Sequence, residues 1–248
     1  MHEQEIQVET ADGEMTTFVA RPDGQGPWPL ALLFMDGVGY REEIKEHARR
    51  FAAAGYVCAT PDLYYRTGRG LTFDMVALRE LGFHGPEAER MQQAMAAATP
   101  DAVVGDIRSL LTALAQDPAV RPGPAVCVGY CMGARLALHV AAELPETFVA
   151  MAGIHPPALV TDAPNSPHHD LSGVRGEIYV AFAGIDRSAT PEVVQRFRDE
   201  AQAQGVRGVV EQIPDVGHGF SMADLSVYDR DAAERHFERT LDLWARNL

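Results

Sequence analysis

A cysteine between two closely spaced glycines is the feature that most constrains this chain. Residues 125–130 form an apolar run typical of a buried strand, and residues 132–144 have helical spacing. The segment joining them reads Gly129-Tyr130-Cys131-Met132-Gly133. Glycines at both ends indicate a tight, strained turn in which side chains would collide with neighbouring backbone. Such a turn lifts Cys131 out of the sheet and places it at a helix N-terminus, which favours a thiolate.

Apolar strands and helical segments alternate along the 248 residues. The pattern predicts strands at 4–8, 16–20, 29–35, 56–60, 125–130, 148–154, 177–183 and 206–213, and helices at 42–54, 101–115, 132–144, 190–204 and 229–247. This alternation indicates an α/β fold, with a mostly parallel twisted sheet and helices on both faces. We expect one domain over 1–248, with an irregular helical insert at about 66–100. Functional residues should follow the carboxyl ends of strands.

The charge and the apolar runs exclude several classes of protein. A formal net charge of −14 without a basic patch excludes nucleic acid as a partner. No apolar run approaches the ~20 residues of a membrane-spanning helix, so no membrane association is expected. The acidic start, Met1 to Glu5, lacks the apolar core of a secretory signal, and a cytoplasmic location is expected. The oligomeric state is not readable from the sequence.

The three cysteines fit neither a disulfide framework nor a zinc site. Their count is odd, and Cys58, Cys127 and Cys131 lack the C-x-x-C spacing. Cys58 and Cys127 lie inside apolar strands, where a small buried hydrophobic role is expected. For Cys131 the alternatives are a nucleophile and a buried structural cysteine. We find no phosphate-binding loop and no metal-ligand spacing, so neither a cofactor nor a metal is predicted.

A histidine and a carboxylate occur where a thiol nucleophile would need them. In sheets whose nucleophile sits on a strand–turn–helix elbow, the partners follow in the order nucleophile, acid, histidine. Asp186 follows the strand 177–183, and His218 follows the strand 206–213. We therefore predict a Cys131–His218–Asp186 triad on an α/β-hydrolase fold. Asp215 remains an alternative acid, and the adjacent His168 and His169 are interpreted as a solvated loop.

Acyl transfer also needs donors for the developing oxyanion. Two backbone N–H groups usually serve, one of them on the residue after the nucleophile. We predict Met132 for that donor and Gly37, in the loop after the strand 29–35, for the other. The same loop carries Asp36. Its residue chemistry leaves two readings open, a carboxylate near Cys131 or an Asp-Gly turn residue.

The chain resembles the dienelactone hydrolase family. Similar segments are the elbow at 128–133, Ala59-Thr60-Pro61-Asp62-Leu63-Tyr64, and Gly217-His218-Gly219-Phe220, and the resemblance extends from about residue 4 to the C-terminus. It implies an α/β-hydrolase fold, a Cys-His-Asp triad and cleavage of enol lactones. It also implies that Asp36, where well-known members carry glutamate, helps to take the thiol proton when substrate arrives.

The resemblance also bears on the substrate. Lactone-specific members place an arginine shortly after the catalytic histidine, where this chain has the apolar Met222, which cannot bind a carboxylate. Arg79 or Arg90 of the insert is a candidate replacement, with a solvated surface arginine as the alternative. Phe73, Phe83 and Met91 are expected to roof the pocket. The predicted pocket residues are Tyr130, Tyr64, His155, Phe220, Met222, Arg79 and Arg90.

These residues predict a hydrolase that cleaves a small-molecule lactone or activated ester through a thioester on Cys131. Two alternatives stay open. The same triad would serve a general esterase or thioesterase acting on a less acidic acyl substrate, which the residue Met222 favours. A non-catalytic hydrolase-like protein that binds ligands or senses redox state would keep a reactive cysteine without needing Asp186 and His218.

Overall fold

One twisted sheet organises the chain. The computed structural model describes residues 1–81, 84–164 and 166–248, without the side chain of Arg79. Within these residues, eight strands pair in the order β1-β2-β4-β3-β5-β6-β7-β8. The β1–β2 and β2–β4 pairs are antiparallel and the other pairs are parallel. The strands are β1 His2–Thr10, β2 Gly13–Arg21, β3 Leu30–Phe34, β4 Val57–Pro61, β5 Ala125–Tyr130, β6 Phe148–Ile154, β7 Glu177–Ile185 and β8 Gly208–Gly217.

Helices pack on both faces of this sheet. In the described residues they are α1 Glu42–Ala53, α2 Met75–Glu80, α3 Pro86–Ala97, α4 Pro100–Leu114, α5 Met132–Glu143, α6 Pro191–Ala203 and α7 Arg230–Ala245, with a short 3-10 helix at Pro167–His169. Tyr130 of β5 stacks on His47 of α1 and His236 of α7, whereas its neighbour Gly129 abuts α5. Successive strand residues point to opposite faces, so α1 and α7 lie opposite α5. The predicted architecture is confirmed.

The central strands carry little polar side chain because both of their faces are covered. All residues of β3, β4 and β5 are buried, which explains their continuous apolar runs. On the face of the sheet opposite α5, Phe51 of α1 packs against Phe237 and Trp244 of α7. This packing anchors the helices and leaves the carboxyl edge of the sheet as the place where loops meet.

The two strands that lead to Asp186 and His218 extend past their predicted carboxyl ends. β7 continues to Ile185 and β8 to Gly217, past the predicted ends at 183 and 213. Beyond the core the two strands pair with an irregularity between Ala183 and Ile185. Pro214 is tolerated because β8 is an edge strand, where a missing N–H costs no ladder bond. Asp186 and His218 therefore follow directly on paired strands.

The predicted insert at 66–100 contains α2 and α3. Near the start of this segment, Thr72 forms an isolated β-bridge with Gly39. Phe83 of the predicted roof lies outside the described residues. No helix among the residues described is both long enough and apolar enough to span a membrane.

Candidate active site

Cys131 occupies a strained turn between β5 and α5. Its φ of 51° lies in the left-handed region, which costs energy for a residue with a side chain. Its backbone N–H donates to the Ile154 carbonyl at 3.0 Å, tying the turn to β6. A Cβ at Gly129 would overlap the backbone of Gly133, and a Cβ at Gly133 would overlap the carbonyl of Phe34. The two glycines are thus required by the close approach of α5 to the sheet.

A hydrogen-bonded chain connects the thiol to a carboxylate. The Sγ of Cys131 lies 3.0 Å from Nε2 of His218. The Nδ1–H of His218 donates to Oδ2 of Asp186 at 2.6 Å. The other oxygen of Asp186 accepts from the backbone N–H and the hydroxyl of Ser188, at 2.8 and 2.7 Å. The structure thus brings the three residues of the predicted triad together, with Ser188 as an additional support.

The hydrogen-bonded series Cys131–His218–Asp186 favours a protonated, positively charged His218. Burial alone would lower the pKa of His218, but the charges of Cys131 and Asp186 outweigh it and raise the pKa to about 10. Burial would raise the pKa of Asp186, but hydrogen bonds from His218 and Ser188 lower it. The imidazole of His218 thus lies between the sulfur of Cys131 and the carboxylate of Asp186, and both stabilise its protonated form.

The other cysteines differ from Cys131 in their surroundings. Cys58 and Cys127 are fully buried, and burial raises the pKa of both thiols. Cys131 is partly exposed and faces a histidine. The expectation that Cys58 and Cys127 are small core residues therefore agrees with their positions in β4 and β5.

Tyr64 lies between the two residues predicted to donate to an oxyanion. Its hydroxyl donates to the Gly37 carbonyl at 3.0 Å and lies 3.6 Å from the sulfur of Met132. The N–H of Met132 belongs to the first turn of α5, where it has no intrahelical acceptor. Tyr64 was predicted as a pocket residue, but it is fully buried and instead supports the Gly37 loop.

Asp36 is directed to an arginine. Its carboxylate oxygens accept from Arg41 at 2.6 and 3.0 Å, and Oδ1 also accepts from the Val38 N–H. In the described residues no hydrogen bond joins Asp36 to Cys131. In the free protein the buried Asp36 carboxylate therefore binds the nearby guanidinium. That Asp36 helps to take the thiol proton when substrate arrives stays a prediction.

Four of the predicted pocket residues are buried in the protein interior near His218. Tyr130, Phe220 and Met222, predicted as pocket residues, are fully buried in the packed interior. The Tyr130 hydroxyl is hydrogen-bonded to Nδ1 of His47 at 2.9 Å, on the α1 and α7 face. His155 is 1% exposed, stacks edge-on against His218 at 5.2 Å, and shares a 2.8 Å hydrogen bond with Ser221, another buried residue.

The predicted arginines of the insert have different outcomes. Arg90 is paired with Glu87 at 2.8 Å and donates to the Thr72 carbonyl, which favours its interpretation as a surface arginine. The side chain of Arg79 lies outside the described residues. Phe73 is buried edge-on against Tyr64, consistent with a roof position near the Gly37 loop.

The remaining histidine and acid alternatives lie apart from the triad. His168 is buried and hydrogen-bonded to Ser166, which differs from the expected solvated loop, whereas His169 is exposed. The two rings stack on each other. Asp215 lies within β8 at a φ of 62°, whereas the imidazole of His218 binds Asp186.

A cavity of about 610 Å³ opens beside the elbow. Met132 and Arg135 line it from α5, and Met95 lines it from α3. A Cβ added at Gly37 would lie 3.5 Å from the sulfur of Met95, so this side of the cavity is close to the Gly37 loop. Arg135 was missed in the sequence, although its spacing of four residues from Cys131 places both on one face of a helix.

Comparison with known proteins identifies the family of this chain. A family model described as the dienelactone hydrolase family matches residues 15–248. The chain belongs to the dienelactone hydrolase family. Members of this family are carboxylic ester hydrolases, so the protein is an enzyme of that class with a small-molecule substrate. The resemblance predicted from the sequence is confirmed.

The similarity to relatives extends over nearly the whole chain. Carboxymethylenebutenolidase of Pseudomonas putida is 24% identical over 241 residues, covering 97% of this chain and 95% of the relative. A protein of Escherichia coli O157:H7, provisionally named carboxymethylenebutenolidase, is 25% identical over 236 residues, 92% of this chain and 81% of its own. A Klebsiella pneumoniae structure, provisionally named dienelactone hydrolase, superposes with a TM-score of 0.86 at 19% identity, over 99% and 98% of the two chains. This similarity supports the α/β-hydrolase fold.

Proposed function

We propose that the protein cleaves a lactone or an activated carboxylic ester through a thioester on Cys131. The observation that carries this proposal is the triad, with Sγ of Cys131 at 3.0 Å from His218 and His218 at 2.6 Å from Asp186. A cysteine in hydrogen-bond distance of an imidazole that a carboxylate orients is the arrangement of activated thiol nucleophiles.

Acylation begins with attack of the Cys131 thiolate on the substrate carbonyl carbon. The carbonyl electrons move to oxygen, and the N–H groups of Met132 and Gly37 stabilise that oxyanion. When the intermediate collapses, the carbon–oxygen bond to the leaving group breaks, and the imidazolium of His218 gives its proton to the departing enolate or alkoxide. The acyl group is then a thioester on Cys131.

Deacylation returns the enzyme to its first state. Neutral His218 takes a proton from water, and the hydroxide attacks the thioester carbonyl. The carbon–sulfur bond breaks, the acid product leaves, and the Cys131 thiolate pairs again with the imidazolium. Asp186 holds the ring through Nδ1 and stabilises its positive charge in both steps.

A thiolate nucleophile restricts the substrate class. The tetrahedral intermediate expels its better leaving group, so a poor leaving group such as an amide nitrogen would send the thiolate back out. Enolates, phenolates and thiolates leave readily, which supports lactones and activated esters. Because the Asp36 carboxylate binds Arg41 in the free protein, we assign the proton transfers of these steps to His218.

A general esterase acting on less acidic acyl groups is the second candidate. Met222, at the position where lactone-specific members are expected to carry arginine, is apolar and fully buried. The loop after His218 therefore offers no cation to a substrate carboxylate. This observation favours uncharged esters at that side of the site, with the same triad and the same chemistry.

The test combines hydrolysis with thiol labelling. Wild type and Cys131→Ala are assayed with cis-dienelactone and p-nitrophenyl butyrate, and each protein is titrated with iodoacetamide. We expect the variant to lose hydrolysis of both substrates and to lose the reactive thiol. Because Cys131→Ala keeps Cys58 and Cys127, it is its own control for labelling of other cysteines. Full hydrolysis by Cys131→Ala would refute the proposal, and the ratio of the two substrates separates lactonase from general esterase.

A further inference from the structure

The cavity beside the elbow is a groove along α5. Met132, Arg135, His139 and Ala142 line it at intervals of three or four residues, which places them on one face of the helix. From the first to the last of these residues the helix rises about 15 Å. The volume of about 610 Å³ is within the 300–1,000 Å³ typical of ligand pockets. The groove therefore has room for an extended ligand, and Met132, the residue after Cys131, lines its end nearest the elbow.

Arg135 places a positive charge in this groove, and in the described residues it has no anionic partner. The Nε atom is buried and has no hydrogen-bond partner, and Arg135 forms no salt bridge in the part of the chain that the structure describes. Arg41 and Arg66, in contrast, each bind aspartates. Burial lowers the pKa of Arg135, although the Cys131 charge opposes this effect. A bound anion would offset the cost of this partial desolvation.

The charged residues along the groove favour an anion next to Arg135 and not at the far end. Arg135 is four residues from Cys131, about 6 Å along the helix axis. Farther along, Asp101 lies 3.3 Å from His139, and Asp170 lines the groove near Ala142. These carboxylates disfavour an anion at the far end. The favourable position is next to Arg135, a few bonds from the ester carbon.

We infer that the groove binds an extended acyl chain and that Arg135 pairs with an anionic group on that chain, about one helical turn from Cys131. This inference rests on the proposed hydrolysis at Cys131. It assigns the recognition of charge to α5, not to the loop after His218, where Met222 stands. The substrate class is an ester with an elongated acyl part that carries a carboxylate or a similar anion.

The test compares esters matched in chain length. The monoester p-nitrophenyl hydrogen adipate and p-nitrophenyl hexanoate have the same six-carbon acyl chain and differ in a terminal carboxylate or methyl group. We expect wild type to have a kcat/KM for the adipate about tenfold above that for the hexanoate, after subtraction of spontaneous hydrolysis. For the ten-carbon pair, hydrogen sebacate and decanoate, the preference should be smaller because that carboxylate passes Arg135 and approaches Asp101 and Asp170.

Two variants locate the effect. Arg135→Gln should abolish the preference for adipate and leave the kcat/KM for hexanoate within about twofold of wild type. Arg135→Lys should keep part of the preference, because a lysine retains the charge without the fork of donors. Arg108→Gln is the matched control, since Arg108 is an exposed residue of α4, outside the groove lining. It should leave both rates unchanged.

The outcomes separate this inference from the proposed function. Equal loss of adipate and hexanoate hydrolysis in Arg135→Gln, or a changed pH dependence of iodoacetamide labelling, would mean that Arg135 acts on the thiolate or the fold and would overturn the inference. So would wild-type hydrolysis of hexanoate with no preference for adipate. Failure of wild type to hydrolyse these esters, p-nitrophenyl butyrate and cis-dienelactone would instead refute the proposed function, and the inference with it.

Discussion

Arg41 binds both carboxylate oxygens of Asp36, at 2.6 and 3.0 Å, while the same guanidinium binds both oxygens of Asp224, at 2.5 and 3.0 Å. Asp36 adjoins Gly37, and Asp224 lies six residues after His218, past the buried residues 219–222. One arginine therefore joins the loop predicted to hold the oxyanion to the loop that carries the catalytic histidine. We interpret this ion pair as support for both loops.

Breaking the pair should destabilise the fold. Arg41→Gln leaves the Asp36 carboxylate buried without its cation, and removal of one partner of a buried pair costs about 3–5 kcal/mol in free energy of unfolding. Urea unfolding measures this change. Arg69→Gln is the control, because Arg69 and Glu14 are about half exposed and such pairs contribute about 0–1 kcal/mol. Equal effects of the two substitutions would contradict a structural role for Arg41.

Removing the charge of Asp36 tests its expected role at the thiol. In Asp36→Asn we expect the pH dependence of iodoacetamide labelling at Cys131 to match wild type, because Asp36 binds Arg41 and Val38. Labelling rates are measured from about pH 5 to about pH 10 and normalised to folded protein. A large fall in the neutral-pH labelling rate of folded Asp36→Asn would show that the carboxylate acts on the thiol after all.

Tyr64 should affect turnover more than binding. Tyr64→Phe removes the hydrogen bond that orients the Gly37 peptide. Loss of a whole oxyanion donor costs about 10²–10³ in kcat, so loosening one should lower kcat by about tenfold with little change in KM. Steady-state kinetics with p-nitrophenyl butyrate measure both. Tyr65→Phe is the neighbouring control, because the Tyr65 hydroxyl binds Thr10 and Asp106 away from the site. A rise in KM without a fall in kcat would assign Tyr64 to substrate binding.

The raised pKa of His218 predicts the pH profile of hydrolysis. Burial opposes the shift, but Cys131 and Asp186 raise the pKa from 6.5 to about 10, so the imidazolium persists at neutral pH and is lost as pH rises through the raised value. We expect kcat/KM to be level from about pH 6 to about pH 8 and to fall toward pH 10. Asp186→Asn should move this fall to lower pH.

A different profile would point to a different protonation state. If kcat/KM instead rose through a pKa near 6.5 and stayed high above it, His218 would be a neutral base with an ordinary pKa. The free energy of unfolding depends on pH in the same direction. The stabilisation from protonated His218 is complete below pH 6.5 and is lost as pH rises through the raised pKa.

Sequence periodicity predicted the strands and the main helices because burial on two faces leaves continuous apolar runs. The β5–α5 elbow and the positions of Asp186 and His218 at strand ends follow from the same pattern. Long-range side-chain partners could not be predicted in this way. Arg41 binds Asp224, 183 residues away, and no local pattern encodes that contact. The depth of Met222 and the direction of Arg135 likewise depend on how distant loops pack.

The most direct test of the central claim is to trap the acyl-enzyme. Wild type is mixed with excess p-nitrophenyl butyrate, quenched in acid within the first turnovers, digested and analysed by mass spectrometry. We expect one butyryl group on the peptide that contains Cys131, released by hydroxylamine at neutral pH as a thioester is, and none on the peptides with Cys58 and Cys127. Rapid hydrolysis in which Cys131 stays unmodified at every quench time, together with undiminished turnover by Cys131→Ala, would contradict nucleophilic catalysis by this residue.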